Sequence, residues 1–332
     1  MINITQEQIM RNWGIDNSDS PLVSIKCMTY NHEKYISRTL DGFLIQETTF
    51  PFEILIHDDA STDKTTAILH EYEKKFPKII KVIYEEINQY QFGAHHKKIN
   101  EAIKGKYLAV CEGDDYWLNR KKLQKQVKYL ENNPNYAACH TIALERYEKA
   151  RIKLPILIGR KKQNYKQIFV YGNGIVTLTA IYRVDLYKEY LNAINENERK
   201  KWLMGDLPLW LYFAKEYKLK HLNIISGVYR VLQESASHSN DEKKIQAFRL
   251  SSYEIRKYFA KKYNDFDLLE QYEIIERLTD YWAEMDRKQF LLEYKKLKSA
   301  PWIFQKKFFI MRFYVLYLIV KTIKKGFLGN KI

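Results

Sequence analysis

The 332-residue sequence is poor in cysteine and glycine and has no long uninterrupted hydrophobic run. Its three cysteines, Cys27, Cys111 and Cys139, form no C-x-x-C pair, which excludes a disulfide framework and a cysteine-rich zinc site and indicates a reducing compartment. Neither G-x-G-x-x-G nor G-x-x-x-x-G-K-[ST] occurs, so the dinucleotide fingerprint and the P-loop are both excluded. Residues 1–20 contain no basic segment followed by an apolar one, so we expect no secretory signal and a cytoplasmic location.

The net charge of +15 is concentrated in two stretches of the chain. Residues 301–332 contain seven basic residues and no acid, and residues 143–170 contain eight basic residues and two acids. No base-stacking or groove-reading module accompanies this charge, so we predict no nucleic-acid partner. A composition of 46% hydrophobic and 29% charged residues is typical of a globular protein.

Hydrophobic periodicity predicts alternating strands and helices over the first 130 residues or so. Strands are predicted for 21–30, 52–59, 78–86 and from 106, and helices for 33–46, 63–76, 94–103 and 119–132. This alternation is typical of a mainly parallel sheet covered by helices.

The second half of the chain has a different pattern. Residues 136–170 show no clear period and are left irregular, whereas strands are predicted for 175–184 and 219–231 and a helix after Asp206. From residue 241 onward the period is helical throughout. We therefore divide the chain into a polar N-terminal extension (1–20), an α/β domain (21–235) and a helical C-terminal region (236–332).

Acidic residues follow two of the predicted strands at the sheet edge where ligands bind in such folds. Asp58 and Asp59 end the second strand, and Glu112, Asp114 and Asp115 follow the fourth. Neighbouring carboxylates repel each other, so the cluster favours a cation, and hard oxygen ligands favour Mg²⁺ or Mn²⁺ completed by phosphate oxygens. The pattern predicts a phosphorylated ligand; spacing alone favours a merely solvated acidic surface equally.

Three ordered segments carry a resemblance to a known family: PLVSIKCMTYNHEKYISRTLDGFLIQ, FEILIHDDASTDKT and GKYLAVCEGDDYW. Over about 100 residues they resemble a family 2 glycosyltransferase with the GT-A fold. The resemblance implies a mixed α/β sheet flanked by helices. It also implies inverting transfer of a sugar from a nucleotide-diphosphate donor, with UDP favoured, to a hydroxyl group.

The resemblance assigns roles to residues of this chain. It implies nucleotide-sugar contacts for nine of them: Thr29, Tyr30, Asn31, Asp58, Asp59, Asp63, Glu112, Asp114 and Asp115. In the family's D-x-D motif Asp114 is the expected ligand of Mn²⁺ or Mg²⁺, with Glu112 and His238 as further candidates. Glu112 departs from the motif, because aspartate is commoner at that position.

Residues of the later segments are assigned to the base and the acceptor. GDLPLW resembles a motif whose aspartate opens a helix and acts as the catalytic base, which implies this role for Asp206. An N-cap of a helix over 207–217 is the alternative, since aspartate is a common cap. Trp117, Gly172, Asn173 and Gly174 are expected on the acceptor side, although the glycines equally fit an ordinary turn.

The C-terminal residues 301–325 combine apolar and basic side chains. The apolar run over 308–320 is broken by Arg312 and is too short to span a membrane. An amphipathic helix lying on an anionic membrane and a helix packed on the catalytic domain both fit this pattern. Membrane contact would suit a lipid-linked acceptor.

We therefore predict a metal-dependent inverting glycosyltransferase that uses a glycan or lipid-linked acceptor in bacterial surface polysaccharide synthesis. One rival is a sugar-phosphate nucleotidyltransferase, which would need a glycine-rich basic loop near the N-terminus that the chain lacks. The other is a basic membrane- or nucleic-acid-binding protein without catalysis.

Overall fold

The computed structural model describes residues 3–14, 20–89, 97–148, 156–159, 163–232, 241–297, 305 and 320. The chain divides into two compact units. The first unit comprises Met1–Asn164 and Gly174–Ser252, and the second comprises Tyr165–Asn173 and Tyr253–Ile332.

Nine strands among the described residues form one mixed sheet in the first unit. They are β1 Val23–Thr29, β2 Phe52–Asp58, β3 Ile80–Tyr84, β4 Tyr107–Val110, β5 Tyr116–Trp117, β6 Tyr136–Tyr147, β7 Ile156–Ile158, β8 Ile181–Arg183 and β9 Lys218–Val231. The order across the sheet is β3-β2-β1-β4-β8-β6-β9-β5, and β7 pairs with β6. The first four strands are parallel, as are β6 and β9, while β4–β8, β6–β8 and β5–β9 pair antiparallel.

Twelve helices are described in chain order. They are α1 Gln6–Met10, α2 Ile36–Leu44, α3 Thr65–Lys75, α4 Lys97–Glu101, α5 Lys122–Glu131, α6 Tyr165–Tyr171, α7 Val184–Ala193, α8 Glu196–Lys201, α9 Asp206–Glu216, α10 Glu242–Tyr263, α11 Phe266–Ala283 and α12 Arg287–Tyr294. A 3₁₀ turn, Thr177–Thr179, precedes β8.

The core of the first unit lies between the parallel strands and helix α2. Strands β1 and β2 are buried along almost their whole length, as expected for strands covered on both faces. On α2, Leu40, Phe43 and Leu44 are fully buried, and the Phe43 ring lies 4.7 Å from that of Trp117. The same unit includes the N-terminal segment, because Trp13 packs edge-on against Phe52.

Most of the elements expected from periodicity are confirmed, with one clear error. Residues 136–170 are not irregular, since they contain β6, β7 and α6. The period was hidden because Ala137–Thr141 is buried on both faces of a central strand, and because the register of β6 with β9 shifts at three places. Part of the strand expected over 175–184 is the 3₁₀ turn.

The second unit is helical in its described residues, as expected. Arg256 of α10 is buried, donates a hydrogen bond from Nε to the carbonyl of Phe169 and lies 4.1 Å over the Tyr272 ring. Of the predicted tail over 301–325, only Gln305 and Val320 are described. Among the described residues, none of the helices has the length and apolarity needed to cross a membrane.

Candidate active site

The carboxyl ends of β1, β2 and β4 meet at one edge of the sheet. Thr29 pairs with Asp58, and the ladder continues past the strands because the Asp59 N–H donates to the Thr29 carbonyl at 3.0 Å. Residues 111–115, here called the acidic loop, join the same edge through a 2.9 Å bond from the Gly113 N–H to the Met28 carbonyl. The sequence therefore brings the predicted acidic residues to adjacent strand ends.

Asn31 and Asp63 connect the loop after β1 to the loop after β2. The Asn31 Oδ1 accepts the Thr62 N–H at 2.8 Å, and the Asp63 Oδ2 accepts the Glu33 N–H at 3.0 Å. Asn31 has a φ of 55°, a left-handed conformation that asparagine tolerates. Both side chains are thus engaged within the chain. Tyr30, by contrast, is 43% exposed.

Asp58 and Asp59 are both buried and differ in their partners. The Asp58 carboxylate accepts hydrogen bonds from Ser61 and, at 2.6 Å, from the Thr66 hydroxyl, so it fixes the loop that follows β2. The Asp59 Oδ1 accepts the Gln89 N–H at 2.6 Å. Asp58 therefore holds the loop after β2 through hydrogen bonds made by its buried carboxylate.

Gly113 allows the acidic loop to approach the end of β1 closely. A Cβ at this position would lie 2.7 Å from His32 Nδ1 and 2.7 Å from Thr29 Oγ1. These two atoms lie 3.1 Å from each other, and Thr29 is buried at the end of its strand. Only glycine fits this contact without displacing its neighbours.

We expect Gly113→Ala to lower stability by about 1–3 kcal/mol, because an added methyl group overpacks the contact with Thr29 and His32. It should also weaken nucleotide binding, since the acidic loop must move away. Thermal unfolding with and without UDP and Mn²⁺ measures both effects. Gly14→Ala is the matched control, because nothing lies within 4 Å of its Cβ; equal melting of the two variants would contradict the prediction.

Asp114 and Asp115 lie side by side but in different surroundings. Asp115 is 4% exposed, and its Oδ1 accepts the backbone N–H of Arg230 at 2.8 Å. Burial, followed by the charge of Asp114, raises the pKa of the Asp115 carboxyl well above its usual range. Asp114 is half-buried, and no described residue donates a hydrogen bond to its carboxylate. Of the two, Asp114 is the carboxylate available to a ligand.

Glu112 lies within the electrostatic influence of the other acids. Burial, followed by Asp114, raises the pKa of Glu112 to about 7, with a smaller contribution from Asp206 and an opposing one from Lys26. Lys26 is itself buried in β1, where burial lowers its pKa to about 8, and its Nζ donates to Asn100 at 2.9 Å. Ionisation of Glu112 is therefore opposed by burial and by the negative charges of Asp114 and Asp206.

The acidic pair fits a divalent cation completed by a ligand better than a closed metal cage. Within the described ranges, no three or more His, Cys, Asp or Glu side chains converge as a metal site would require. Mg²⁺ and related ions, however, are commonly held by one or two carboxylates together with substrate phosphates. The Asp114 carboxylate accepts no hydrogen bond from a described residue, and burial and the charge of Asp114 raise the pKa of Glu112, so a cation bound here would relieve the repulsion between the two carboxylates. His238 lies outside the described residues.

Asp206 is the first residue of α9 and does not act as its N-cap. The N-cap is Gly205, and no side chain caps the helix there. Asp206 is half-buried, and its negative charge contributes to the raised pKa of Glu112, after burial and Asp114. The capping alternative is therefore removed, and a carboxylate at the positive end of a helix dipole remains.

The acceptor-side assignment of Trp117, Gly172, Asn173 and Gly174 stays a prediction. The Trp117 ring is buried, with its indole N–H donating to the Leu178 carbonyl at 2.8 Å, so its position gives the acceptor-side prediction no support. Gly172 and Asn173 belong to the second unit. Gly174 belongs to the first, where its N–H donates to Gln163 Oε1 at 3.1 Å.

Sequence reasoning missed three residues of this region: His32, Lys26 and Arg230. His32 lies beside Thr29, and burial lowers its pKa, although Asp114 and Asp63 oppose this. The resemblance in sequence assigns a nucleotide contact to Asn31 but no role to its neighbour His32. Lys26, a charged residue inside an apolar strand, was a visible signal of a buried acid opposite it.

Known proteins are similar to this chain in sequence and in fold. A model of the family described as Glycosyl transferase family 2 matches residues 24–191, about half of the chain. An uncharacterised protein of Mycobacterium tuberculosis is 39% identical over 165 residues, which cover 48% of this chain and 46% of that protein. The match thus spans about half the length of the first curated relatives.

Two further likenesses cover more of the chain. The Escherichia coli protein WfaP, named UDP-Glc:alpha-D-GlcNAc-diphosphoundecaprenol beta-1,3-glucosyltransferase, is 27% identical over 220 residues, covering 65% of this chain and 80% of WfaP. The mannosyltransferase PcManGT of Pyrobaculum calidifontis, solved with GDP-Man and Mn²⁺, is 13% identical with a TM-score of 0.50, covering 95% of this chain and 92% of that one. The latter likeness concerns the fold alone, and it confirms the expected GT-A-like α/β fold with a helical C-terminal region.

Proposed function

The chain belongs to glycosyl transferase family 2, and from its site we propose that it transfers a sugar from a nucleoside-diphosphate donor to a hydroxyl group with inversion. The observation that carries this proposal is the position of the acidic loop at the carboxyl edge of the sheet, where the Gly113 N–H bonds to the Met28 carbonyl and no described residue donates a hydrogen bond to the Asp114 carboxylate. Family membership argues against both rivals, the nucleotidyltransferase and the non-catalytic binding protein.

Asp206 is proposed as the general base. Inversion by single displacement requires a carboxylate that accepts the proton of the attacking hydroxyl as the new bond forms. Asp206 begins a helix, is half-buried and lies near Glu112, so an ionised carboxylate there is stabilised by the helix dipole. No covalent intermediate on the enzyme is needed.

The nucleotide side is proposed to be formed by the loops after β1 and β2. The exposed Tyr30 is proposed to contact the nucleotide directly, whereas Asp59 is buried with its Oδ1 bonded to the Gln89 N–H and is proposed to hold the loop after β2. Thr29, Asn31, Asp58 and Asp63 are proposed to act by holding these loops, since their polar atoms are engaged within the chain. Buried polar groups that are already paired give a rigid edge for the nucleotide.

Asp114, with Glu112, is proposed to hold Mn²⁺ or Mg²⁺. A bound divalent ion would offset the negative charge that develops on the leaving diphosphate. PcManGT was solved with Mn²⁺, which supports a metal in a protein of this fold. The chain's own contribution is to keep Asp114 at a fixed position at the sheet edge while Asp115 is buried beneath it.

A glycan or lipid-linked acceptor of a surface polysaccharide is proposed, with contact to the inner face of the cell membrane through residues 301–325. The name of WfaP supports a lipid diphosphate as one acceptor class. Seven basic residues and no acid in residues 301–332 suit attraction to anionic lipid.

A thermal-shift screen tests this function first. UDP, GDP, dTDP and CMP are each added with Mn²⁺ or with chelator, because a ligand of the native state raises the melting temperature by mass action, about 2.7 kcal/mol at 100 times its Kd. We expect the melting temperature to rise with one nucleoside diphosphate, UDP, and only when Mn²⁺ is present. No rise with any nucleotide, combined with salt-sensitive binding to anionic vesicles, would replace the transferase by the binding-protein alternative.

A further inference from the structure

We infer that Arg230 is a positioning residue that fastens the acidic loop to β9 and so fixes Asp114 for its cation. The inference rests on the proposed function. Arg230 is the next-to-last residue of β9 and is only 6% exposed. A buried guanidinium at the end of a strand needs partners, and it finds them in the main chain of Asp114, the predicted metal ligand, and in the carboxylate of Glu148.

Arg230 contacts the acidic loop through both its main chain and its side chain. Its backbone N–H donates to Asp115 Oδ1 at 2.8 Å, and its Nη1 donates to the carbonyl oxygen of Asp114. Neither bond uses the Asp114 carboxylate. The loop is therefore held immediately around Asp114, while the carboxylate keeps its capacity for a ligand.

The guanidinium is itself held in a fixed orientation. Its Nε lies 3.4 Å from Glu148 Oε1, and its central carbon lies 4.3 Å from the Tyr116 ring and 5.1 Å from the Tyr35 ring. Such ring stacking uses the planar shape of arginine, and a lysine ammonium cannot bridge Glu148 and the Asp114 carbonyl in the same way. Tyr116 follows the acidic loop directly and pairs with Val228 of β9.

Through these contacts strand β9 holds the acidic loop in place on the side where the nucleotide donor is proposed to bind. Groups that orient a metal ligand from behind commonly change metal affinity by about 10–100-fold when they are removed. Loss of the Arg230 side chain should therefore weaken the metal-dependent part of nucleotide binding. Binding measured in chelator should not change, because Arg230 makes no described hydrogen bond to the loops after β1 and β2, and its described contact with them is the one to the Tyr35 ring.

Arg146 gives a matched control. It lies opposite Arg230 in the pairing of β6 with β9, and its Nε is 3.3 Å from the same Glu148 carboxylate. It is more exposed and has no described contact with Asp114 or Asp115. Arg146→Gln thus removes one arginine from the same ion-pair cluster and leaves the acidic loop in place.

The test compares Arg230→Gln, Arg230→Lys and Arg146→Gln with the wild type. UDP, GDP and dTDP are titrated by calorimetry with Mn²⁺ or with chelator, and the Mn²⁺ concentration needed for half-maximal binding is measured. We expect Arg230→Gln to raise that concentration about 10–100-fold and Arg230→Lys to lie between it and the wild type. Arg146→Gln should stay within about twofold, and binding in chelator should be the same for all four proteins.

A metal requirement of Arg230→Gln equal to that of Arg146→Gln would overturn the inference. If Arg230→Gln does not fold, Arg230→Lys decides, because it retains the backbone bond to Asp115 and the positive charge. An unchanged metal requirement in a folded Arg230→Lys would then overturn it. If the wild type shows no metal-dependent nucleotide binding, both the proposed function and the role of Arg230 are wrong. If the wild type binds normally and Arg230→Gln has the same metal requirement, only the inference about Arg230 is wrong.

Discussion

Asp206→Asn should abolish sugar transfer, with a loss of about 10³-fold in kcat, and leave donor binding within about twofold of the wild type. The amide keeps the size and the helix-terminal position of Asp206 but cannot accept the acceptor's proton at neutral pH. Single-turnover kinetics with the donor identified by thermal shift gives kcat, and calorimetry with the nucleotide and Mn²⁺ gives the affinity.

Asp185→Asn is the matched control for this prediction. Asp185 is an exposed aspartate in the first turn of α7, where its Oδ1 accepts the Leu186 N–H. The control should change neither kcat nor donor binding. Near-full activity of Asp206→Asn would show that another group takes the proton, and a parallel loss of donor affinity would assign Asp206 to the nucleotide side.

Asp114→Ala should lose metal-dependent nucleotide binding and lower transfer on the order of 10³-fold. Stabilisation of the leaving group by a bound ion amounts to several kcal/mol, and each 1.36 kcal/mol is tenfold in rate. The fold should survive, because no described residue donates a hydrogen bond to this carboxylate. Removing it also removes the largest charge contribution that raises the pKa of Glu112, so stability should not fall.

Titrating Mn²⁺ in the presence of UDP measures this loss, with circular dichroism as the check on folding. Glu86→Ala is the control, since Glu86 is an exposed acid after β3 that lies outside the acidic loop. A Mn²⁺ dependence in Asp114→Ala equal to that of the wild type would exclude Asp114 as a metal ligand. The wild type should itself lose nucleotide binding when chelator removes the metal.

Local pattern was sufficient to predict the first half of the fold. Strands β1 to β4 are short apolar runs ended by acids or separated by Pro77, and α2 and α3 show helical spacing between them. Residues 136–147 gave no such signal, because a central strand buried on both faces has no alternation to detect. The parallel pairing of β6 with β9 joins residues about 80 positions apart, and no local rule predicts it.

The sequence predicted which acidic residues follow β2 and β4, and it did not predict which hydrogen-bond partners each of them has. Carboxylates that follow a strand look alike in sequence, yet Asp58 is bonded to Ser61 and Thr66, whereas Asp114 has no described donor. The difference depends on which hydroxyls and amides the turns bring close. Arg230 could not be found from sequence, because its partner Asp115 is 115 residues away.

The separation of 115 residues between Asp115 and Arg230 affects when each part of the site can form during synthesis of the chain. The four parallel strands β1 to β4, which pair in the order β3-β2-β1-β4, have all been synthesised once residue 110 has left the ribosome. The acidic loop gains its support only when residue 230 follows, after about two thirds of the chain. A nascent chain released earlier would therefore carry a folded nucleotide edge and an unsupported acidic loop, with the β6 surface open to wrong pairing by other chains.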